Sequence, residues 1–425
     1  MKILFISQYF FPEQVSNNRM AENISERGHA VEVYCAVPNY PSGEFFDGYS
    51  NGERRKDRLG EIRISRAWTI PRGKSKFKLL LNYLSFPLAS GVGILIGKRR
   101  PDAIFVSQLS PVFMVIPGIL QKWKTGCGLV YWVQDIWPES ATFTLGIRSK
   151  VAIAVLNAVC GWLYRRADIV LVQSAGFVEM ITRFGVPRER IRVLPNTAPP
   201  LYRPLTPEEA PDYAAVVPQE GFRLMFAGNI GESQDFDTLI AAASLLGDRR
   251  ELCWIVVGSG RDEERVRRRV REKGLEDSFR FLGRYPEEAM PGLFAHADAM
   301  LVSLKDTPIF ALTVPYKMQC YMACGKPIVA SLNGEGARIV GEAGAGVIAA
   351  AGRPEALAAA IVGLLDSTPQ QRAAFSRNAR HYFEQNYSAE KVYGDLELAL
   401  KAAAQKRQGA QPDVAVTSDV NINRD

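Results

Sequence analysis

Short apolar runs alternate with helix-patterned stretches along almost the whole chain, and this rhythm limits the possible folds more than any single motif does. Ile3–Ser7, Val31–Cys35, Ile104–Val106, Leu129–Trp132 and Ile169–Val172 read as strands, and so do Leu224–Ala227, Trp254–Val257, Ala299–Ser303 and Ile328–Ala330. Strands spaced this way by helices predict an α/β protein with parallel sheets covered on both faces. The rhythm breaks over 195–218, where prolines stand at 195, 199, 200, 204, 207, 211 and 218. Read as an interdomain linker, this interval divides the chain into two Rossmann-like, doubly wound domains, 1–194 and 219–385. A helix is expected over 386–404, and a polar, aperiodic tail over 405–425 is expected to be disordered. Ligands of doubly wound sheets bind beyond the carboxyl ends of the strands, here in a cleft between the domains.

Composition fits that division. At 425 residues the chain can bury two cores, and 47% hydrophobic with 23% charged residues is the balance of a soluble globular protein. The net charge of +7 is not gathered into one contiguous block, and no nucleic-acid-binding motif occurs, so no nucleic-acid partner is expected. Contact with anionic lipid headgroups is the sharper reading of this mild basicity; solubility is the plainer one. Cysteines 35, 127, 160, 253, 320 and 324 lie mostly within apolar runs, and Cys320 and Cys324 lack the spacing of zinc or redox pairs. They read as buried thiols in a reducing cytoplasm. With only His29, His296 and His381 available, no metal site is expected. Met1–Phe11 reads as a first strand and not as a secretory signal.

The stretch 77–97 is apolar and about long enough to span a bilayer. Spanning would put strands of one sheet on opposite sides of the membrane, which excludes it. Two readings remain, a buried helix pair with a loop near Pro87 or a surface that dips into the membrane interface. Lys74, Lys76 and Lys78 before it and Lys98, Arg99 and Arg100 after it favour the second.

Two segments point to a diphosphate. Gly228-Asn229-Ile230-Gly231 follows a strand and precedes the helical pattern Phe236, Leu239, Ile240, Ala243, so it should be a tight turn offering backbone N–H groups to an anion. The run 314–327 opens a helix at Pro315 with Lys317 in its first turn, where the helix dipole disfavours a cation unless an anion sits nearby. Gly258-Ser259-Gly260, followed by Arg261, reads as a loop near the nucleotide, since Glu263 replaces the third glycine of a dinucleotide fingerprint. Arg284, in the loop Phe281–Tyr285, and Glu335 and Gly336, in a strand-to-helix loop, are further donor-side candidates. On the other side, Asp135 and Glu139 follow the strand Leu129–Trp132, beside Trp137. Either carboxylate there could take a proton from an acceptor hydroxyl, and either could simply cap a helix.

Ser7-Gln-Tyr-Phe-Phe-Pro-Glu13, Arg19, Arg27-Gly-His-Ala-Val-Glu-Val33 and Pro38-Asn-Tyr-Pro-Ser-Gly43 resemble glycosyltransferase family 4. Gln-Asp-Ile-Trp-Pro-Glu-Ser at 134–140, Gly-Asn-Ile-Gly at 228–231, Pro-Tyr-Lys with Tyr-Met-Ala-Cys-Gly-Lys-Pro at 315–327 and Asn-Gly-Glu-Gly at 333–336 bring it nearest to the branch assigned to L-fucosamine transfer in O-antigen and capsule synthesis. The resemblance covers the chain to about residue 400. It implies the GT-B architecture, a nucleotide-sugar held by the C-terminal domain, and a lipid-linked saccharide acceptor held by the N-terminal domain through Arg19, Asn39, Tyr40 and Trp137. It also implies retention at the anomeric carbon, no metal or other cofactor, and an enzyme working peripherally on the cytoplasmic face of the plasma membrane.

The chain departs from the wider family in three places. Val15-Ser16-Asn17 replaces paired glycines, Asn229 and Gln234-Asp235 replace an Arg and a Lys, and Leu312 and Cys320 replace two glutamates eight positions apart. A nucleotide-sugar 2-epimerase, which can share the two-domain architecture, is one rival reading, and the missing Arg, Lys and paired Glu suggest a second, a catalytically silent binding subunit.

Overall fold

The computed structural model describes residues 1–139, 149–218 and 220–405. Its chain forms two compact units. The first holds an eight-stranded sheet in the order β3-β4-β2-β1-β5-β6-β7-β8. Its strands are β1 (Lys2–Ile6), β2 (Ala30–Cys35), β3 (Lys56–Leu59), β4 (Ile62–Arg66), β5 (Ala103–Gln108), β6 (Gly128–Val133), β7 (Ile169–Val172) and β8 (Ile191–Val193). β1 runs parallel to β2 and β5, and β5 to β6, whereas β3 is an antiparallel edge strand on β4. β5 and β6 are buried residue for residue, as strands covered on both faces must be.

Order reverses at β1: the chain first winds outward to β2 and β4, then returns to β5, β6 and β7. Because such crossovers are right-handed, the helices Lys76–Ile96, Ile116–Thr125 and Lys150–Tyr164 share one face of the sheet, and Ser16–Glu26 takes the other. The carboxyl ends of β1, β5 and β6 meet in a polar layer instead of apolar packing. Ser107 Oγ donates to Asn17 Oδ1 (2.7 Å), Asn17 Nδ2 to Ser7 Oγ (2.7 Å), and Gln134 Nε2 to Ser107 Oγ (3.3 Å).

The second unit carries a six-stranded parallel sheet, β11-β10-β9-β12-β13-β14. These are β9 (Phe222–Ala227), β10 (Leu252–Val257), β11 (Phe279–Gly283), β12 (Ala299–Ser303), β13 (Ile328–Ser331) and β14 (Gly346–Ala349). Apolar clusters lie on both of its faces, one around Met318, Tyr321 and Met322 and one around Phe236, Leu239 and Trp254.

Three elements show what the sequence reading left open. The helix Lys76–Ile96 is continuous, with Pro87 buried inside it, so no loop divides it. The interval read as an interdomain linker is packed: Ala198, Tyr202 and Val217 join the core of the second unit, and Ala210 O accepts from the His296 ring (2.8 Å). The last helix, Ala389–Gln405, belongs from Asp395 onward to the first unit. There Glu397 meets Arg27 (3.3 Å) and His29 (3.0 Å). The expected disorder of the tail concerns residues outside those described, apart from Gln405, which closes the helix.

Candidate active site

In the second unit the site grows from the end of β9. The Tyr321 hydroxyl is bonded to both the amide and the carbonyl of Ala227, each at 3.0 Å, which fixes the helix Tyr316–Ala323 against that strand end. Lys317 lies one turn before Tyr321 on the same helix face, so its side chain reaches the next residue along, Gly228. A Cβ added to Gly228, whose φ is +143°, would stand 3.0 Å from Lys317 Nζ. Glycine is therefore required both by the backbone conformation and by the ammonium beside it.

Lys317 lies in the first turn of its helix, as the sequence predicts, with Pro315 as the residue preceding that turn. Its Nζ donates to Gln234 Oε1 (2.6 Å) and sits 3.7 Å from the centroid of the Phe226 ring. No carboxylate faces it among the described residues, and burial pushes its pKa down to about 7. A desolvated cation resting on a neutral amide and an aromatic face gains most when an anion arrives.

The loops after β9 and β10 are interlocked. Gly228 N donates to Val257 O (2.9 Å), Ile230 N to Ser259 O (2.9 Å) and Gly258 N to Gly283 O (2.7 Å). Of the turn's amides, those of Gly228 and Ile230 are thus committed to the protein. The turn is also longer than expected. One 3-10 turn, Glu232–Gln234, intervenes before the helix Phe236–Leu245, so the loop does not run directly into that helix's first turn.

Other donor-side candidates fall as follows. Arg261 and Arg284 are exposed, each just past the carboxyl end of its strand, β10 and β11. Glu335 opens the helix Gly334–Ala343 and is held by Arg338 at 2.8 Å. Gly336 is buried against Leu332, where a Cβ would meet Leu332 Cδ1 at 2.7 Å, so it serves packing. Leu312 is partly buried and Cys320 almost wholly buried, so the family's two glutamate positions supply no carboxylate.

In the first unit, Asp135 and Glu139 follow β6. Asp135 is partly buried, its carboxylate has no hydrogen-bond partner among the described residues, and burial pushes its pKa up to about 7. Its backbone is fixed by Gln108 Nε2, which donates to Asp135 O at 2.7 Å. Burial raises the Glu139 carboxyl as well; Ser140, last of that motif, lies outside the described residues. Arg19 lies at the start of the helix Ser16–Glu26, within Coulombic reach of Glu22.

Two acceptor-side expectations are corrected. Trp137 is 3% exposed and packed edge-on against Tyr83 and Phe113, so it forms core and presents no face to a ligand. Asn39 is fully buried and braces its loop, donating to Val37 O (2.8 Å) and accepting from Arg72 N (3.0 Å). Tyr40, 39% exposed, is presented beside Tyr9 and Arg72.

Sequence reasoning missed the group that shapes this loop. The Glu13 carboxylate accepts from the amides of Asn39 (2.7 Å), Tyr40 (2.8 Å) and Phe10 (3.0 Å), and burial pushes its pKa up to about 7. Its place in a run of aromatic residues and proline was the available signal. Gln234, which holds Lys317, was noticed only for the cation it replaces.

Comparison with known proteins adds independent findings. The family described as "Glycosyl transferase 4-like domain" matches residues 14–197, and "Glycosyl transferases group 1" matches residues 221–367. The chain is 27% identical over 341 residues to the glycosyl transferase WcaI of Escherichia coli (strain K12), a protein named for colanic acid biosynthesis; the match covers 76% of this chain and 82% of that one. Sucrose-phosphate synthase from Thermosynechococcus elongatus superposes with a TM-score of 0.73 at 17% identity, over 96% of this chain and 100% of its own. HepE of Anabaena, solved in complex with UDP, gives 0.70 at 17% identity, over 94% and 100%. These structural likenesses establish the GT-B fold, with its two Rossmann-like domains.

Proposed function

The chain belongs to the family 4 glycosyltransferases, and on that premise we propose that it moves a sugar from a nucleoside-diphosphate donor, held by the second unit, to a lipid-linked saccharide acceptor, held by the first. The product is a bacterial surface polysaccharide, in line with the colanic acid role named for WcaI. An N-acetylated amino or deoxy sugar, such as L-fucosamine, is the donor class favoured by the sequence motifs. Uridine is the base to try first, since HepE was solved with UDP.

Lys317 carries this reading. As the bond from the anomeric carbon to the diphosphate breaks, its electron pair stays on the departing oxygen. A cation kept without a counter-ion stabilises that developing charge more than it stabilises bound donor. The acceptor oxygen bonds to the anomeric carbon and gives up its proton, for which the raised pKa of Asp135 makes it the base. Retention follows from the family resemblance, and no covalent intermediate is assigned. The enzyme works on the cytoplasmic face of the plasma membrane, where lipid-linked acceptors are reached by the helix Lys76–Ile96. No divalent metal is needed if Lys317 and the loop amides neutralise the diphosphate.

The test is calorimetry of UDP with the wild type and Lys317→Ala. Loss of a charge-assisted contact of roughly 1.5–3 kcal/mol weakens binding by about one to two orders of magnitude. Unchanged affinity in folded protein overturns the assignment. Transfer of labelled sugar to membrane lipid is expected to persist in EDTA, and inactivation reversed by magnesium or manganese would mean that a metal neutralises the diphosphate.

A further inference from the structure

We propose that the helix Lys150–Tyr164 and the indole pair Trp123–Trp162 form, with the helix Lys76–Ile96, one continuous face that seats on a bilayer of anionic phospholipid. The proposal rests on the reading of a membrane-bound acceptor but concerns elements that reading does not use. All three helices lie on one face of the first sheet. Their contact is close: a Cβ on Gly91 would touch Leu120 Cδ1 at 3.0 Å, and Lys124 Nζ donates to Ile94 O (2.9 Å) and Leu95 O (2.6 Å).

Each helix turns an apolar stripe outward. On the first, Phe77, Leu80, Leu84, Leu88, Val92 and Ile96 recur every three or four residues, and Ile96 is 78% exposed. On the second of the long helices Val151, Val155, Ala158 and Trp162 do the same, and Val151 is 74% exposed. Trp123, 58% exposed, closes the gap from the helix Ile116–Thr125 and meets Trp162 edge to face, ring centroids 6.4 Å apart. The guanidinium of Arg166 lies over both rings, 4.8 Å from Trp162 and 6.0 Å from Trp123. Indoles with an apolar body and a polar edge, backed by a cation, suit the headgroup boundary of a membrane.

Charge names the occupant. Between residues 62 and 167 the sequence holds fifteen Lys and Arg against three Asp and Glu, so this part of the chain carries more than the whole molecule's excess of +7. None of the three carboxylates serves the face. Asp102 accepts from the amide of Lys2, and Asp135 and Glu139 stand in the candidate active site. Lys74, Lys76, Lys78, Lys98, Arg100 and Lys150 have no ion-pair partner among the described residues. A second copy of the chain is the wrong occupant, because a two-fold contact would press these cations against their own images. An anionic bilayer satisfies the stripe and the cations together.

Flotation with vesicles of phosphatidylcholine, alone or mixed with phosphatidylglycerol, tests this on the whole protein. Wild type is expected to float with the mixed vesicles, less so as salt rises. Trp123→Ser with Trp162→Ser should weaken partition by about tenfold, with UDP affinity and circular dichroism unchanged. Brominated acyl chains should quench fluorescence in the wild type more than in Trp123→Phe with Trp162→Phe. Should the serine pair misfold, Val151→Ser with Val155→Ser carries the measurement. If these variants float like the wild type while Lys74→Ser, Lys76→Ser and Lys78→Ser together release the protein, this proposal falls and the role of the helix Lys76–Ile96 stands. If wild type ignores anionic vesicles, both fall. Self-association lost in the tryptophan variants, with no flotation, would identify a dimer face and overturn the proposal.

Discussion

Burial moves Lys317 and Asp135 toward neutrality from opposite sides, Lys317 down and Asp135 up, each to about 7. An unfolded chain holds the lysine proton up to about its ordinary 10.5; between 7 and that value it binds more protons than the folded one, so this group's contribution to stability rises with pH there. Donor binding runs the other way, because diphosphate selects the protonated amine. UDP affinity should fall by up to about tenfold per pH unit above 7, with uptake of one proton, until the bound lysine itself titrates. Calorimetry in buffers of different ionisation enthalpy reads that proton, and Lys317→Ala should abolish it; a pH-independent affinity would place the diphosphate elsewhere. Asp135 has the opposite linkage. Its folded carboxyl keeps a proton between 3.8 and 7 that the unfolded chain has lost, so its contribution falls as pH rises through that window. Asp135→Asn should therefore raise the melting temperature at pH 8 while lowering turnover by about 10²–10⁴-fold. A variant that melts lower and turns over normally would make Asp135 a structural group. Lys317 was legible in the sequence because a cation in a first helical turn is locally unfavourable. Trp137 and Asn39 were misplaced because a motif names a residue without saying which way tertiary packing turns it.

Glycines at the carboxyl ends of β9 and β10 show how loops, more than helices, set this site. A Cβ on Gly258 would lie 1.9 Å from Gly228 O, and one on Gly260 would lie 2.0 Å from Ile230 O. Gly-Ser-Gly therefore lets two backbones touch, and the turn Gly228–Gly231 inherits its shape from that contact. Gly260→Ala should cost roughly 1–3 kcal/mol by overpacking and weaken UDP binding with it. Gly247→Ala, whose Cβ would find nothing nearer than Ser244 O at 3.6 Å, is the control; equal melting temperatures for the two variants would refute the interlock. The nine apolar runs all became strands, since uniform apolarity at that length has few other uses. Pairing partners were harder to read: the edge strand β3 and its neighbour β4 carry Lys56, Arg58, Arg63 and Arg66, and their charge hid them. The proline-rich interval hid its burial for a related reason. Proline breaks periodicity without forbidding burial, and here it wraps a core that only the folded chain provides.

The two units are not successive segments of chain. The first takes in Ile181–Arg192 and the last helix from Asp395 to Gln405, the second Val172–Met180 and the described residues of Val193–Gly394. Within the last helix Leu396, Ala399, Leu400 and Ala403 are buried, and a Cβ on Gly128, where β6 begins, would strike Ala403 O at 2.2 Å. Ending the chain at residue 394 should strip that apolar cover and leave protein that aggregates or melts well below the wild type, whereas ending it at 405 should leave the melting temperature unchanged. Comparable melting for both truncations would mean that the helix adds nothing to the first unit. The same arrangement bears on how the protein is made. A ribosome finishes the whole second unit before it releases the helix that completes the first, so the amino-terminal sheet waits with that seat uncovered through most of synthesis. Chimeras that exchange the first unit between relatives will have to carry the last helix along with the amino-terminal half, because the genetic boundary and the folding boundary do not coincide.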